Sequence, residues 1–107
     1  MSIKLAAARA LVYGAARSGD GGFPDMLLAA QAKVFTSESA IAIVNDALQF
    51  FGARGYSRNL PLERMARDVR MFTIGGGTAE VLRNVVAGAI LKKKLPQTRD
   101  GWLKSTE

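Results

Sequence analysis

The 107-residue sequence contains no cysteine and no histidine. Without thiols the chain forms no disulfide and offers no thiolate to a metal ion. Without imidazole it lacks the commonest metal ligand and the commonest general base. We therefore expect neither a metal site nor a histidine-based catalytic triad. We also expect a cytoplasmic protein, because proteins of the cytosol rarely depend on disulfides.

Long apolar runs are also missing from the sequence. No uninterrupted run approaches the roughly 20 residues that a helix needs to cross a bilayer, so we expect no membrane span. The N-terminal stretch MSIKLAAARALVYGAARSGD begins with one lysine before apolar residues, as a signal peptide does. Arg9 interrupts this stretch and Arg17 follows it. That pattern favours an amphipathic helix instead.

Period-two alternation of apolar and polar residues is almost absent, so no strand is predicted. The sequence is typical of helices separated by glycine and proline. We predict helices at about residues 3–17, 24–51, 61–70 and 79–93. Pro24 and Pro61 suit the first turns of their helices, and Thr78 is a natural N-cap of the last one.

Apolar spacing assigns each predicted helix an inward face. The long helix carries two heptad rows, which predict a packed seam: Leu27, Val34, Ile41, Leu48 and Ala30, Ser37, Val44, Phe51. The inward residues predicted for the other three helices are Leu5, Ala8, Val12 and either Ala15 or Ala16; Leu62, Met65, Ala66, Val69; and Val81, Leu82, Val85, Val86, Ala89, Ile90. Together they predict an all-α antiparallel helical bundle.

We assign this bundle to residues 1–94 and an irregular tail, which Trp102 can anchor, to residues 95–107. Three or four helices cannot cover so many apolar faces within one chain. Burying an exposed leucine or isoleucine side chain is worth roughly 1.5–3 kcal/mol, so the uncovered faces drive association. We therefore expect the bundle to be completed in a dimer or a higher homo-oligomer.

Basic residues outnumber acidic ones, 15 to 9, which gives a net charge of +6. A nucleic-acid contact is one explanation. However, only Lys92, Lys93 and Lys94 are contiguous, and lysines at a helix end favour the negative pole of the helix dipole. The arginines are scattered and no series of stacking aromatics accompanies them, so we expect no nucleic-acid partner. Scattered arginines suit an anionic small ligand, such as a nucleotide pyrophosphate, equally well.

The most specific motifs lie in residues 48–78, LQFFGARGYSRNLPLERMARDVRMFTIGGGT. Ala32-Lys33 precedes this segment and Ala79-Glu80 follows it. In this order and at these separations, the motifs resemble the C-terminal helical domain of the acyl-CoA dehydrogenase family. The resemblance covers Lys4 to about Leu91. It implies a flavoprotein that oxidises acyl-CoA thioesters with FAD.

The resemblance also implies which residues meet FAD. Gln49 and the turn after it, which begins Gly52-Ala53, correspond to a glutamine and a glycine-rich turn that touch the FAD of a neighbouring subunit. Ala53 stands where the family usually has a second glycine. Thr78 and Glu80 match a Gly-Thr-x-Glu segment that also meets the cofactor. We therefore expect all five residues at a shared FAD site.

Each of these residues also has a simpler structural explanation. Gln49 can be a surface residue of its helix, and Thr78 can be only an N-cap. Gly52 and Gly55 can merely supply left-handed conformations at a helix end.

The remaining charged and aromatic residues of this segment have structural explanations only. We predict structural salt bridges for Arg67 and Asp68. We predict that Arg64 and Arg70 are solvated. The aromatic residues predicted to lie in the core are Tyr56 and Phe72.

Gly76 stands where many family members carry the glutamate that removes the α-proton of the thioester. Glycine has no group that accepts a proton, so this chain resembles branches with glycine or alanine here, such as isovaleryl-CoA dehydrogenase. Those branches take the base from an earlier helix, which would lie before Met1. Glu80 does not replace it, because its counterpart lies beside the nucleotide part of the cofactor. No catalytic residue is therefore expected in this chain.

A complete family member also has an N-terminal helical domain and a middle β-domain that holds the flavin ring. We expect these domains, together with one bundle helix and part of another, to be missing here. Acyl-CoA would then bind only in a complete enzyme. The alternative is a free-standing helical oligomerisation module that has lost flavin.

Overall fold

The computed structural model describes residues 1–95. Within that range the chain is helical and contains no strand. Its elements are α1 (Ser2–Ser18), α2 (Met26–Phe51), α3 (Ala53–Tyr56), α4 (Leu62–Met71) and α5 (Ala79–Leu91). The all-α class is confirmed. Trp102 and most of the predicted tail lie outside the described residues, and the proposed boundary at residue 94 stays a prediction.

Helix α2 is the centre of the fold. Helices α1, α3, α4 and α5 all pack on it, and α3 also touches α4. Within residues 1–95, α1, α4 and α5 do not pack on one another. Among the described helices α2 is therefore the one neighbour of α1 and of α5, whereas α4 also contacts α3.

The start of α2 differs from the prediction. Asp25 is the N-cap, and its side chain accepts a hydrogen bond from the backbone N–H of Leu28 at 2.9 Å. Pro24 therefore precedes the helix and does not lie in its first turn, because the carboxylate of Asp25 satisfies a free helical N–H and fixes the start there. The hydroxyl of Ser18 accepts the N–H of Asp25 at 2.9 Å, which ties the end of α1 to this cap.

The glycine-rich turn after α2 contains a short helix that the sequence did not predict. Gly52 ends α2 with φ +59°, which confirms its left-handed role, and α3 follows at once. Gly55 is buried and its φ is not positive, so the prediction for it was wrong. It is needed for space, because a Cβ there would lie 2.8 Å from the carbonyl oxygen of Leu48.

Helix α4 begins one residue after Pro61, close to the prediction. Arg67 pairs with Glu63 at 3.2 Å, and Asp68 pairs with Arg64 at 3.9 Å. Salt bridges for Arg67 and Asp68 are thereby confirmed, each within one turn of the helix. Arg64 and Arg70 are exposed, as predicted.

The core consists of small residues. None of the large side chains in residues 1–95 is fully buried. The buried residues are Ala15, Ala30, Ala32, Ser37, Ser39, Gly55 and Ala79. Two of them, Ala30 and Ser37, belong to the predicted seam of α2, and most larger seam residues beside them are half-buried. Small side chains let the helix backbones approach closely, so the seam is confirmed as the packing surface of α2.

Several residues predicted to face inward are exposed. Tyr56 is 81% exposed and Phe72 48%, so their assignment to the core was wrong. The other exposed members of the predicted faces are Leu5, Val12, Phe51, Met65, Ala89 and Ile90. Their spacing is helical, but no second helix of residues 1–95 covers them. The predicted end of α5 near Lys93 was also two residues late, since Lys92 turns left-handed with φ +53°.

Helix α2 is long and apolar enough to cross a membrane, with a mean hydropathy of 1.3 over an 18-residue window. The expectation of no membrane span rested on uninterrupted apolar runs, which small polar residues break in α2 without lowering its mean hydropathy much, and it stays a prediction. The core helix of a soluble protein meets the same criterion. Here α2 is the helix on which the others pack.

Replacing Gly55 by alanine should destabilise the fold, because the new methyl group would meet Leu48 O at 2.8 Å and Phe51 Cβ at 3.0 Å. We expect the free energy of unfolding to fall by about 1–3 kcal/mol, the usual cost of overpacking. Urea unfolding followed by circular dichroism measures this change. The matched control is Gly14→Ala, where a Cβ meets nothing within 4 Å. That variant should gain about 0.5–1 kcal/mol, and equal effects of the two substitutions would contradict the packing found around Gly55.

Candidate functional site

The bend between α4 and α5 is built from glycine. Gly76 and Gly77 have φ +70° and +96°, which side chains of L-residues rarely adopt. Hydrogen bonds bracket the bend: the N–H of Gly75 donates to Met71 O at 2.8 Å, and the N–H of Ala79 donates to Thr73 O at 3.0 Å. The glycines therefore turn the chain sharply from α4 into α5.

Lys33 holds this bend against α2. Its ammonium donates to the carbonyl oxygens of Gly75 at 2.8 Å and Gly77 at 2.6 Å. The side chain is half-buried, and the two contacts join residues more than 40 positions apart. No local pattern in the sequence predicted this role. Lys33 is the only cationic residue of α2, which is the signal that could have revealed it.

Thr78 begins α5 as predicted. Its hydroxyl oxygen accepts a hydrogen bond from the backbone N–H of Val81 at 3.2 Å, so the N-cap is confirmed. The N–H groups of Ala79, Val81 and Leu82 already donate to Thr73 O, Thr78 Oγ1 and Thr78 O. The N–H of Glu80 and the positive pole of the helix dipole are therefore what the start of α5 offers an anion. Glu80 lies exposed in the first turn. We call Thr78 and Glu80 the bend cluster.

Gln49, Gly52 and Ala53 lie at the opposite end of α2 from its N-cap, and all three are exposed. We call them the turn cluster. Gln49 is a surface residue of its helix, and its carbonyl oxygen accepts the N–H of Gly52 at 3.1 Å. Lys33 marks where the bend meets α2, and at 1.5 Å per residue Gln49 lies about 24 Å further along the helix axis. The structure therefore does not bring the two clusters together.

A salt bridge joins α2 to α5 on a second face. The guanidinium of Arg83 contacts both carboxylate oxygens of Glu38, at 2.7 and 2.9 Å. The hydrogen bond from Arg83 lowers the pKa of Glu38, although partial burial opposes it. Sequence reasoning missed this pair, because nothing in the local pattern of either helix points to a partner 45 residues away.

The same salt bridge forms one edge of an apolar groove above α2, between α1 and α5. Its volume is about 520 Å³. The groove is lined by Leu11, Gln31, Val34, Phe35, Glu38, Arg83, Val86, Ala87 and Ile90. Most of these side chains are aliphatic or aromatic, so the groove suits an apolar protein surface better than a charged ligand.

Gly76 occupies the position at which a catalytic glutamate was considered, and it carries no functional group. A Cβ on Gly76 would meet nothing within 4 Å, so the space beside it is open. Its φ of +70° nevertheless strains any L-residue placed there. The bend is therefore shaped for glycine.

The sequence model of the acyl-CoA dehydrogenase C-terminal domain matches residues 1–91. The chain belongs to the acyl-CoA dehydrogenase family. It corresponds to the C-terminal domain of the family's proteins, as the motifs in residues 48–78 predicted.

Similar proteins and structures agree with this assignment. The chain is 58% identical over its whole length to a 3-sulfinopropanoyl-CoA desulfinase of Advenella mimigardefordensis, of which it covers 26%. Over 86% of its length it is 49% identical to a 3-(aryl)acrylate reductase of Clostridium sporogenes, of which it covers 24%. The structure of butyryl-CoA dehydrogenase from Megasphaera elsdenii superposes with a TM-score of 0.80 at 40% identity, over 84% of this chain and 24% of that one. The chain thus spans about a quarter of the length of the relatives it matches.

Acid should weaken the contact between α2 and α5 through Glu38. Because the folded state lowers the pKa of Glu38, the stability that the carboxylate contributes is present above its ordinary pKa and is lost as the pH falls through the lowered value. Glu38→Gln should therefore lower the urea midpoint modestly at neutral pH, and its difference from the wild-type chain should disappear once the pH lies below the lowered pKa of Glu38. Glu63→Gln is the control, because its partner lies in the same helix. A difference between Glu38→Gln and the wild-type chain that persists in acid would contradict this account.

Proposed function

We propose that the chain is the part of a flavin-dependent acyl-CoA enzyme that supplies subunit contacts and one portion of an FAD site shared between subunits. The observation that carries this proposal is the glycine bend held by Lys33, which presents Thr78 at the start of α5. Membership in the acyl-CoA dehydrogenase family is the reason to propose a flavin and a thioester substrate. We propose that this chain itself supplies no catalytic group.

We propose that the turn cluster and the bend cluster contact different FAD molecules. Both are exposed and accessible to a ligand or a partner subunit, except that Thr78 is half-buried. Their separation of about 24 Å along α2 supports contacts with different cofactor molecules. We propose that the turn cluster (Gln49, Gly52 and Ala53) meets the FAD of a neighbouring subunit. The bend cluster, through the N–H of Glu80 and the positive pole of α5, would receive an anionic part of an FAD.

The groove between α1 and α5 supports the proposed role in assembly. Eighteen large hydrophobic residues of the described range are exposed, Ile90 at 62% among them. Exposed apolar residues in this number, two of which (Phe35 and Ile90) line the groove, are typical of protein contacts. We propose that other domains of the same enzyme, or other copies of it, cover these faces.

A second candidate reaction is favoured by two observations. Four 3-sulfinopropanoyl-CoA desulfinases are 57–61% identical to this chain, more than the reductase at 49%. Gly76 also leaves the bend without a carboxylate to remove an α-proton, so dehydrogenation would need a base from an earlier helix of the enzyme, as in the branches with glycine or alanine here. We therefore propose removal of a sulfinate group from an acyl-CoA thioester as the alternative to α,β-dehydrogenation.

A chimera tests the proposed function. In the chimera, this chain replaces the C-terminal quarter of the Advenella desulfinase. All 107 residues of the chain align with that enzyme. We expect a yellow protein that contains FAD and releases sulfite from 3-sulfinopropanoyl-CoA. A chimera that carries FAD and instead reduces a dye acceptor with a simple acyl-CoA would favour dehydrogenation. A folded but colourless chimera would contradict the cofactor role and favour a helical assembly module without flavin.

Substitutions of Thr78 in the chimera separate its two roles. Thr78→Ser keeps the hydroxyl and should keep both stability and flavin content. Thr78→Asp still caps α5, because aspartate is a good N-cap, but it places a negative charge where an anion would bind. We expect Thr78→Asp to retain the melting temperature while flavin content falls at least about tenfold, as for the loss of a charge-assisted contact. Equal flavin content in both variants would show that Thr78 is only a cap.

A further inference from the structure

The bend between α4 and α5 lacks backbone hydrogen bonds at its centre. In the described structure none of the backbone N–H groups of residues 76–78 donates to a backbone carbonyl. Gly76 and Gly77 have no side chains to restrict them, and glycine populates many conformations. Some other group must therefore select the conformation that places Thr78.

Lys33 is the group that contacts this segment from outside. Its ammonium binds the carbonyl oxygens of Gly75 and Gly77, which lie on either side of Gly76. Hydrogen bonds from a charged donor are stronger than those between neutral groups. Two of them from one rigid helix fix both carbonyls at once, and α2 provides that rigid support.

A packing role alone does not explain a lysine at this position. Lys33 is the only cation among the 26 residues of α2, and its neighbours Ala32 and Val34 are apolar. Placing an ammonium in a half-buried position costs desolvation unless it is hydrogen-bonded. Hydrogen bonds to the two glycine carbonyls offset that cost. The ammonium therefore needs the carbonyls as acceptors, and the bend needs the ammonium to fix its conformation.

We infer that Lys33 is the positioning residue of the bend cluster. By holding the carbonyls of Gly75 and Gly77, it sets the direction in which Thr78 and the first N–H groups of α5 point. It acts through the bend and does not itself touch the ligand. Its effect on FAD rests on the function proposed above, whereas its effect on the bend does not.

Amide hydrogen exchange of the 107-residue chain tests the effect on the bend. The variant is Lys33→Met, which keeps the length of the side chain and removes the charge. The amides of Gly75 and Ala79, which bracket the bend, should exchange at least about tenfold faster, the change expected from losing hydrogen bonds to a charged group. Lys33→Arg, which retains a cationic donor, should restore most of the protection. Lys4→Met, at an exposed position of α1, is the control and should change neither amide.

The outcomes of this experiment are distinct. Wild-type exchange at Gly75 and Ala79 in Lys33→Met would overturn the inference. A loss of protection throughout α1 and α2 in that variant would also overturn it, because the assigned role is local. Faster exchange confined to the bend, with rescue by Lys33→Arg, would support it. Circular dichroism on each variant shows whether the helices are retained.

A flavin titration of the same chain adds a readout that packing alone does not change. Quenching of FAD fluorescence should require at least about tenfold more protein for Lys33→Met and about the same amount for Lys33→Arg. Lys4→Met should bind as the wild-type chain does. If the wild-type chain does not bind FAD, the proposed function fails for the isolated chain, and the exchange experiment still decides the role of Lys33. If Lys33→Met loosens the bend but binds FAD normally, positioning of the cofactor contact is overturned.

Discussion

The fold depends on one constraint, namely that α2 is the surface on which every other helix packs. Its buried residues are small, Ala30, Ala32, Ser37 and Ser39, so neighbouring helices approach it closely. Small side chains bury little apolar area each, and none of the large ones in residues 1–95 is fully covered. The same feature that allows close packing around α2 therefore leaves the outer faces of the other helices open.

Two polar contacts position α5 on this support. Lys33 binds the bend before α5, and Glu38 pairs with Arg83 one turn into it. The first contact is half-buried and made to backbone, so it selects a conformation, whereas the second is exposed and screened by salt. Together they place the start of α5, and with it Thr78, relative to α2. The family relationship gives this placement its functional meaning, because the chain corresponds to the C-terminal domain of the acyl-CoA dehydrogenase family.

Local signals predicted much of the fold and less of the site. Helical periodicity located all four long helices, and Thr78 and Gly52 were assigned correctly because capping and left-handed turns depend on neighbouring residues. The start of α2 was misplaced because a proline and a capping aspartate are adjacent, and only Asp25 bonds to the helix. The contacts of Lys33 and Glu38 were missed because their partners lie more than 40 residues away. Tyr56 was assigned to the core because apolar character indicates a side chain suited to burial, but not whether a neighbouring element covers it.

The central claim is that these helices form one side of a larger structure and need more protein to cover them. Light scattering coupled to size-exclusion chromatography of the isolated chain tests it most directly, against a chain mass of 11.4 kDa. The account predicts a dimer or larger assembly, with its exposed apolar faces in contact. A monodisperse 11.4 kDa monomer that unfolds cooperatively and does not bind a hydrophobic dye would contradict it.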